Sequence, residues 1–338
     1  MCDRWNPVCE FDALEALWGE AALVGDEQVA LFRLPDSRIF AVSNADPATG
    51  AYVMSRGIVG SKGERATIAS PLHKDVFDLE TGACYTKPAL TLPTWRTRIR
   101  DGVLEIAKHP VMVAASHGTS DPAGQTCIAS LVQAVRESNT GVTVVDSYVD
   151  VQSPAVAASL ESIPAGSSAV VVPLLLSAGY HVHVDLAEAA RSRHGVSVSG
   201  ALGPDPRLVV ILARRLDEAG LRPDDQVVLV AAGSSNASAV SDCHEVGRLL
   251  SAHLRREVTV SFLSAAFPRA ASAVTSVRAS HPASRVIVSS YLLAPGYFAT
   301  LAAETSADAT SAPLLEEGEP PPPELVAIVT DLYRSMLA

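Results

Sequence analysis

The sequence predicts a multidomain protein in which a small all-β domain precedes two similar α/β lobes, each built on a parallel sheet. Three observations carry that expectation. Short strand-like stretches separated by turn signals fill the chain up to about residue 107. Beyond Lys108-His109-Pro110, apolar runs alternate with Ala-rich helical stretches, the pattern of parallel βαβ units. Three segments of that second part then recur, in the same order, about 115 residues later.

Along the chain, Phe11–Trp18 reads as a short helix, and Val29–Arg33, Ile39–Val42, Thr67–Ser70 and Val103–Ile106 read as strands. Pro35-Asp36, Asp46-Pro47, Lys62-Gly63, Thr81-Gly82 and Asp101-Gly102 supply turns, at a spacing that suits a small antiparallel barrel or sandwich. Val111–Ala115 and Val170–Leu176 are near-continuous apolar runs, as expected of strands buried on both faces. Helical stretches follow at Gln125–Glu137, Ser153–Ser162, Val184–Arg193, Pro206–Ala219, Ala237–Leu254 and Ala270–Ser280. Asp121-Pro122 is a good start for the first of these, with Asp at the N-cap and Pro at the first helical position. Glu316–Pro323 reads as a stiff, solvated connector into a last helix, Glu324–Met336. The resulting boundaries are 1–108, 109–222 and 223–338.

The repeat pairs Ala-Ala-Ser-His117-Gly118-Thr-Ser-Asp121 with Val-Ala-Ala-Gly233-Ser-Ser-Asn236, Ser147–Pro154 with Ser261–Pro268, and Leu176–His181 with Leu293–Phe298. Two similar lobes with a cleft between them are implied. In the first lobe both apolar runs end on a histidine, His117 and His181. Ligands of open α/β sheets bind just outside the carboxyl ends of the strands. Imidazole there can bind a metal or move a proton near neutral pH. Ala232 and Phe298 occupy the equivalent positions in the second lobe and can do neither. One asymmetric, metal-handling site in the first lobe is therefore expected, with the second lobe as a cleft wall and Tyr297 and Phe298 as apolar contacts. His183, two residues past His181, is a minor third candidate, and His109, His194, His244, His253 and His281 read as surface or helix-end residues.

Composition narrows the classes. A chain of 338 residues that is 48% hydrophobic can bury several cores. No apolar run reaches the roughly 18 residues of a membrane span, and the N-terminus lacks a basic stretch followed by an apolar one. A cytoplasmic protein with no membrane partner is the expectation. A net charge of −11 argues against a general nucleic-acid binder. Five scattered cysteines without a Cys-x-x-Cys pair point to reduced thiols rather than a zinc site or disulfide framework.

Ser70-Pro71-Leu72-His73-Lys74-Asp75-Val76-Phe77, with Thr81-Gly82 beyond it, resembles the second ligand loop of Rieske iron–sulfur domains, and Asn44-Ala45-Asp46-Pro47-Ala48 resembles the first. A Rieske centre requires two Cys on one iron and two His on the other. Here the cysteine positions hold Asp46 and Ser70, and one histidine position holds Ala48. Only His73 is retained, so no iron–sulfur cluster is expected. This Rieske-like domain lacking cluster ligands resembles, over residues 5–107, the small subunit of assimilatory NAD(P)H nitrite reductase, most specifically in Ala41–Pro47, Ser55–Val59 and Ser70–Leu72. In that family the domain accompanies a siroheme-containing large subunit and is not itself catalytic, so a reductase large subunit is an expected partner.

His117–Asp121, Pro173–Leu176 and Gly179-Tyr180-His181, with Asp185 beyond it, resemble the sirohydrochlorin and cobalamin-pathway chelatases in their long two-lobed form, over residues 111–338. Those enzymes insert Fe2+ or Co2+ into a metal-free tetrapyrrole without ATP. The resemblance implies His117 and His181 as catalytic and metal-site residues, with Gly118, Thr119, Ser120, Gly179 and Tyr180 around the substrate. The chemistry asks for such a pair. Imidazole suits both metals, and with an ordinary pKa of about 6.5 it can accept the pyrrole protons that metallation releases. The coordination sphere must stay open, because a closed four-ligand site would trap the metal. Backbone N–H groups at the Gly118–Asp121 loop and cations such as Arg191, Arg193, Arg207 and Arg214 are candidates to hold substrate carboxylates.

The fusion favours a sirohydrochlorin chelatase that uses Fe2+ to make siroheme. The alternatives are a cobaltochelatase of cobalamin synthesis and a non-catalytic siroheme-handling subunit of a nitrite reductase.

Overall fold

Strand β3 (Glu27–Arg33) is apolar without a break from residue 29 to residue 32 because it serves two cores at once. Ala30 and Phe32 join Val42, Met54, Ile68, Phe77 and Leu92 on one side, and Val29 and Leu31 join Ala41, Leu104 and Ile106 on the other. Alternate residues of a strand face opposite ways, so one segment can support both. The computed structural model describes residues 5–177, 179 and 185–337. They form two units, one running up to Val111 with the stretches Asn139–Thr143 and Pro164–Ser168, the other holding the remainder.

The first unit is all-β. Strands β1 (Asn6–Glu10), β2 (Gly19–Val24), β3, β4 (Ile39–Ser43), β8 (Thr94–Arg100) and β9 (Val103–Lys108) make a six-stranded antiparallel sheet in the order β1-β9-β8-β4-β3-β2. A second antiparallel sheet holds β5 (Ile58–Lys62), β6 (Arg65–Ala69) and β7 (Val76–Asp78). The helix expected over Phe11–Trp18 is a correction: only Phe11–Ala13 forms a 3₁₀ turn. Leu14 alone of that stretch is buried, so no apolar stripe holds a second turn, and Leu17 has φ +65°, outside the helical region.

The second unit contains two four-stranded parallel sheets of the same topology. The first has strands β10 (Val111–Ser116), β11 (Val144–Tyr148), β12 (Ala169–Pro173) and β13 (Val196–Val198), in the order β11-β10-β12-β13. The second has β14 (Gln226–Ala231), β15 (Val258–Phe262), β16 (Val286–Tyr291) and β17 (Ala309–Thr310), in the order β15-β14-β16-β17. Helices α1 (Pro122–Ser138), α2 (Val156–Ser162), α3 (Asp185–Arg191) and α4 (Pro206–Glu218) accompany the first sheet in sequence. Helices α5 (Ala237–Leu254), α6 (Ala270–Ser280), α7 (Tyr297–Ala303) and α8 (Pro323–Ser335) accompany the second. Strands β10, β12, β14 and β16 are almost wholly buried, which explains their continuous apolar sequence.

Three of the helix starts, those of α1, α4 and α5, are set by side-chain caps. Asp121 Oδ1 accepts from the Gly124 N–H at 3.0 Å, Asp205 from the Arg207 N–H at 2.8 Å, and Asn236 from the Ser238 N–H at 2.9 Å. Each satisfies an N–H that the helix itself leaves unpaired. No described helix is long and apolar enough to cross a membrane.

Candidate active site

The ends of β10 and β14 turn in the same way. Gly118 follows β10 with φ +93°, and Gly233 follows β14 with φ +94°. A Cβ at either would stand 1.9 Å from a backbone carbonyl oxygen, that of Asp150 or Ser264. Only glycine fits such a turn. The preceding residues, His117 and Ala232, use their carbonyls alike, accepting from the N–H groups of Asp150 and Ser264, both at 2.9 Å. One backbone device therefore presents a side chain at the carboxyl end of an interior strand in each sheet. In the first lobe that side chain is imidazole, and it is exposed.

Both turns open on one cleft of about 720 Å³ within the second unit, a size typical of small-molecule sites. His117, Gly118, Thr119, Ser120 and Gly179 all line it. Tyr180, His181 and His183 lie outside the described residues. Across the cleft stand Ala232, Ser234 and Ser235 from the β14 turn and Pro295–Ala299 at the start of α7. Tyr297 is 72% exposed and Phe298 37%, with ring centroids 5.5 Å apart and planes at 62°. An edge-to-face aromatic pair on an open rim offers apolar area to a flat ring.

The loop after His117 is rigidly held. The Thr119 N–H donates to Gln152 Oε1 at 2.9 Å, the Asp121 N–H to Thr119 Oγ1 at 3.1 Å, and Gln125 Nε2 to the Thr119 carbonyl at 2.8 Å. The backbone N–H groups of residues 119, 121 and 124 are thus engaged internally, so this loop offers a carboxylate its hydroxyls more than its backbone. None of the four arginines near the first-lobe motifs lines the cleft. Arg207 pairs with Asp205 at 2.8 Å and Asp331 at 2.6 Å, and Arg214 with Glu324 at 3.3 Å. Arg193 donates to the carbonyls of Leu160 and Ile163, and Arg191 is an exposed residue of α3. The described lining contains no Lys or Arg and is instead rich in hydroxyls: Thr119, Ser120, Ser177, Ser234 and Ser235.

Two lining residues escaped the sequence reading. Cys243 lies on α5, 4% exposed, and burial pushes its thiol up to about 12. It behaves as a small neutral filler rather than a thiolate ligand. Tyr291 ends β16, and burial raises its phenol well above the ordinary 10. Nothing in the spacing of either marks a site; only the folded chain brings them to the cleft. Among the histidines set aside, His194, His244, His253 and His281 are exposed, and His109 is half-buried beside Thr94 at 3.2 Å. None of the five lines the cleft.

In the first unit, the positions of the Rieske ligands have been converted into a hydrogen-bonded pair. Ser70 Oγ donates to Asp46 Oδ2, and Asp46 Oδ1 accepts from the Ala48 and Thr49 N–H groups and the Thr49 hydroxyl. Asp46 and Ser70 are each 1% exposed, whereas Ala48 and His73 face solvent. Neither a carboxylate locked in four hydrogen bonds nor a methyl group supplies the thiolate and imidazole donors of a Rieske [2Fe–2S] centre. The donor set does not fit that cluster.

Comparison with known proteins agrees with both halves. A family model described as a Rieske-like [2Fe-2S] domain matches residues 4–107, and the CbiX family model matches residues 111–219 and 226–312, more than half of the chain. The chain belongs to the CbiX family. To its CbiX part is fused a domain of the nitrite reductase small-subunit type. The small subunit of nitrite reductase (NADH) from Escherichia coli (strain K12) is 36% identical over 104 residues, covering 30% of this chain and 96% of that protein. Sirohydrochlorin ferrochelatase of Priestia megaterium is 30% identical over 132 residues, 36% of this chain and 50% of that protein. The CbiX part shares its fold with SirB from Bacillus subtilis, solved with Fe3+, at TM-score 0.56 and 19% identity over 68% of this chain and 96% of SirB. SirB of the subspecies spizizenii, solved with cobalt, gives TM-score 0.53 at 18% identity, over 67% of this chain and 94% of that chain.

Proposed function

We propose that this CbiX protein is a sirohydrochlorin chelatase that inserts Fe2+ to form siroheme, at a single site in the lobe of residues 109–222, with residues 223–338 as the opposing lobe. The observation that supports it best is the placement of His117. It is delivered by a glycine-locked turn to a cleft whose far wall holds an aromatic pair and, at the matching position, Ala232. In this reading His117 and His181 hold the divalent metal substrate and accept the two pyrrole protons in turn. Gly118, Thr119, Ser120, Gly179 and Tyr180 border the macrocycle. Its carboxylates meet hydroxyls and solvent rather than buried arginines.

The choice of iron rests on the fused domain. A domain of the nitrite reductase small-subunit type, resident in the cytoplasm and docked on a siroheme-containing large subunit, would keep cofactor synthesis close to its consumer, and tethering raises effective concentration without new contacts. Cobalt is the second reading, favoured by the cobalt-bound SirB structure. Competition between Fe2+ and Co2+ at limiting free metal separates the two. A chain that binds siroheme tightly, accelerates metallation with neither metal and co-purifies with a reductase large subunit would be a carrier instead.

A further inference from the structure

The repeat is preserved in the way the two lobes touch. They meet beside the cleft, where the Tyr291 hydroxyl donates to the Leu176 carbonyl at 2.9 Å. Two further approaches are reciprocal. A Cβ at Gly179 would stand 3.8 Å from Ser234 Oγ of the opposite lobe, and a Cβ at Gly296 would stand 3.5 Å from Thr119 Oγ1. Gly179 and Gly296 are equivalent in the repeat, as are Thr119 and Ser234. Each lobe thus sets the hydroxyl of its turn against the other lobe's glycine, and all four residues line the cleft. The two hydroxyls are also prepared alike: Thr119 Oγ1 accepts from the Asp121 N–H and Ser234 Oγ from the Asn236 N–H, both at 3.1 Å. A hydroxyl that accepts still carries a proton to donate. The hydroxyls that follow, Ser120 and Ser235, are exposed.

Packing around the two turns differs while the hydroxyl does not. A Cβ at Gly124 of α1 would stand 3.0 Å from the Thr119 methyl, so glycine leaves that methyl room. The equivalent residue of α5 is Ala239, 1% exposed, and there the turn carries serine, which has no methyl. Methyl and hydrogen have changed places between helix and turn. The hydroxyl stays, although Ala232 stands where the first lobe has His117.

We propose that Ser234 and Ser235 form a carboxylate-binding subsite on the second lobe, matching Thr119 and Ser120 on the first, so that the acidic rim of a tetrapyrrole is held from both walls. This inference rests on the reading that the cleft takes sirohydrochlorin. A hydroxyl that donates to a carboxylate makes a charge-assisted bond, stronger than one between neutral groups. The second lobe thereby sets the affinity and orientation of the macrocycle, while the metal chemistry stays with the first.

The test is a titration of the full chain with sirohydrochlorin and with its full methyl ester, followed by the visible absorption of the macrocycle, for the parent, Ser234→Ala and Ser235→Ala. Ser234→Ala also removes the acceptor of the Asn236 N–H, whereas Ser235 is exposed, so Ser235→Ala decides if the other variant does not fold. In each variant that circular dichroism shows to be folded, sirohydrochlorin should bind about three- to tenfold more weakly, with the ester within about twofold of its parent value. Steady-state metallation should show the same loss in KM with kcat held, as expected of an interaction made equally in ground and transition states. Parent-like affinity for sirohydrochlorin in the folded variants, or an ester weakened as much as the acid, would overturn the subsite alone. A parent that binds neither sirohydrochlorin nor its ester would overturn the chelatase reading and this inference with it.

Discussion

Gly118→Ala and Gly233→Ala should destabilise the second unit equally while differing in their effect on catalysis. The backbone values, φ +93° and +94°, lie where a residue with a side chain is strained by about 1–3 kcal/mol. In both turns the new Cβ would start 1.9 Å from a carbonyl oxygen, so the loop must move by more than an ångström. That movement sacrifices the 2.9 Å bond from Asp150 N–H to the His117 carbonyl, or from Ser264 N–H to that of Ala232, about 1 kcal/mol each. The sum is about 3 kcal/mol, or a Tm about 6–12 °C lower for a unit of this size. Calorimetry of the full chain measures the first quantity, and a metallation assay the second. Gly118→Ala displaces the residue beside His117, and an ångström of misplacement can cost a factor on the order of a hundred in rate. Its rate loss should exceed that of Gly233→Ala by about tenfold or more. Unequal Tm shifts would refute the shared backbone device, and equal rate losses would refute the single-site asymmetry.

Two further outcomes follow from the charges. Asp46 and Asp78 are both held below the ordinary carboxylate value of 3.8. Burial pushes each upward, but hydrogen bonds outweigh it, from Ser70 and Thr49 to Asp46 and from Arg65, the Thr81 N–H and Tyr85 to Asp78. A carboxylate with a depressed folded pKa stabilises the fold above its unfolded value and loses that effect as pH falls through the folded one. The first unit should therefore weaken progressively below about pH 4, and Asp78→Asn should flatten the decline. All three tryptophans, Trp5, Trp18 and Trp95, belong to that unit, so fluorescence-detected urea midpoints check this; a midpoint that holds or rises in acid would contradict it. Arg207→Ala should leave the KM for sirohydrochlorin within about twofold of the parent, since Arg207 is occupied by Asp205 and Asp331 away from the cleft. A KM raised severalfold in steady-state kinetics would return it to the site.

Much of this architecture was legible because it obeys local rules. The runs that became β10 and β12 are buried on both faces, and Asp121-Pro122 starts α1 as its chemistry dictates. The repeat was legible because the same turn needs the same residue types, a glycine at φ near +93° followed by hydroxyls and a capping side chain. What escaped depends on distant partners. Helix α7 is seven residues long with Tyr297 and Phe298 exposed, and its inward face is only the small pair Ala299 and Ala302, too short a stripe to betray it. Strand β8 reads Thr-Trp-Arg-Thr-Arg-Ile-Arg, and its arginines stack on Trp5, pair with Glu105 or face solvent rather than alternating with a clear core set. The arginines near the first-lobe motifs were proximate in sequence only, since the partner that claims Arg207 is 124 residues away. Tyr291 became visible as a contact of the first lobe only once the two lobes were seen together.

The most direct measurement is the rate at which purified chain metallates sirohydrochlorin with Fe2+, followed by the absorbance change of the macrocycle, for the parent and for His117→Ala. A site built on His117 gives clear acceleration over free metal in the parent and none in the variant, with both proteins equally folded. A parent that accelerates neither Fe2+ nor Co2+ insertion, or a His117→Ala chain as fast as the parent, would contradict it.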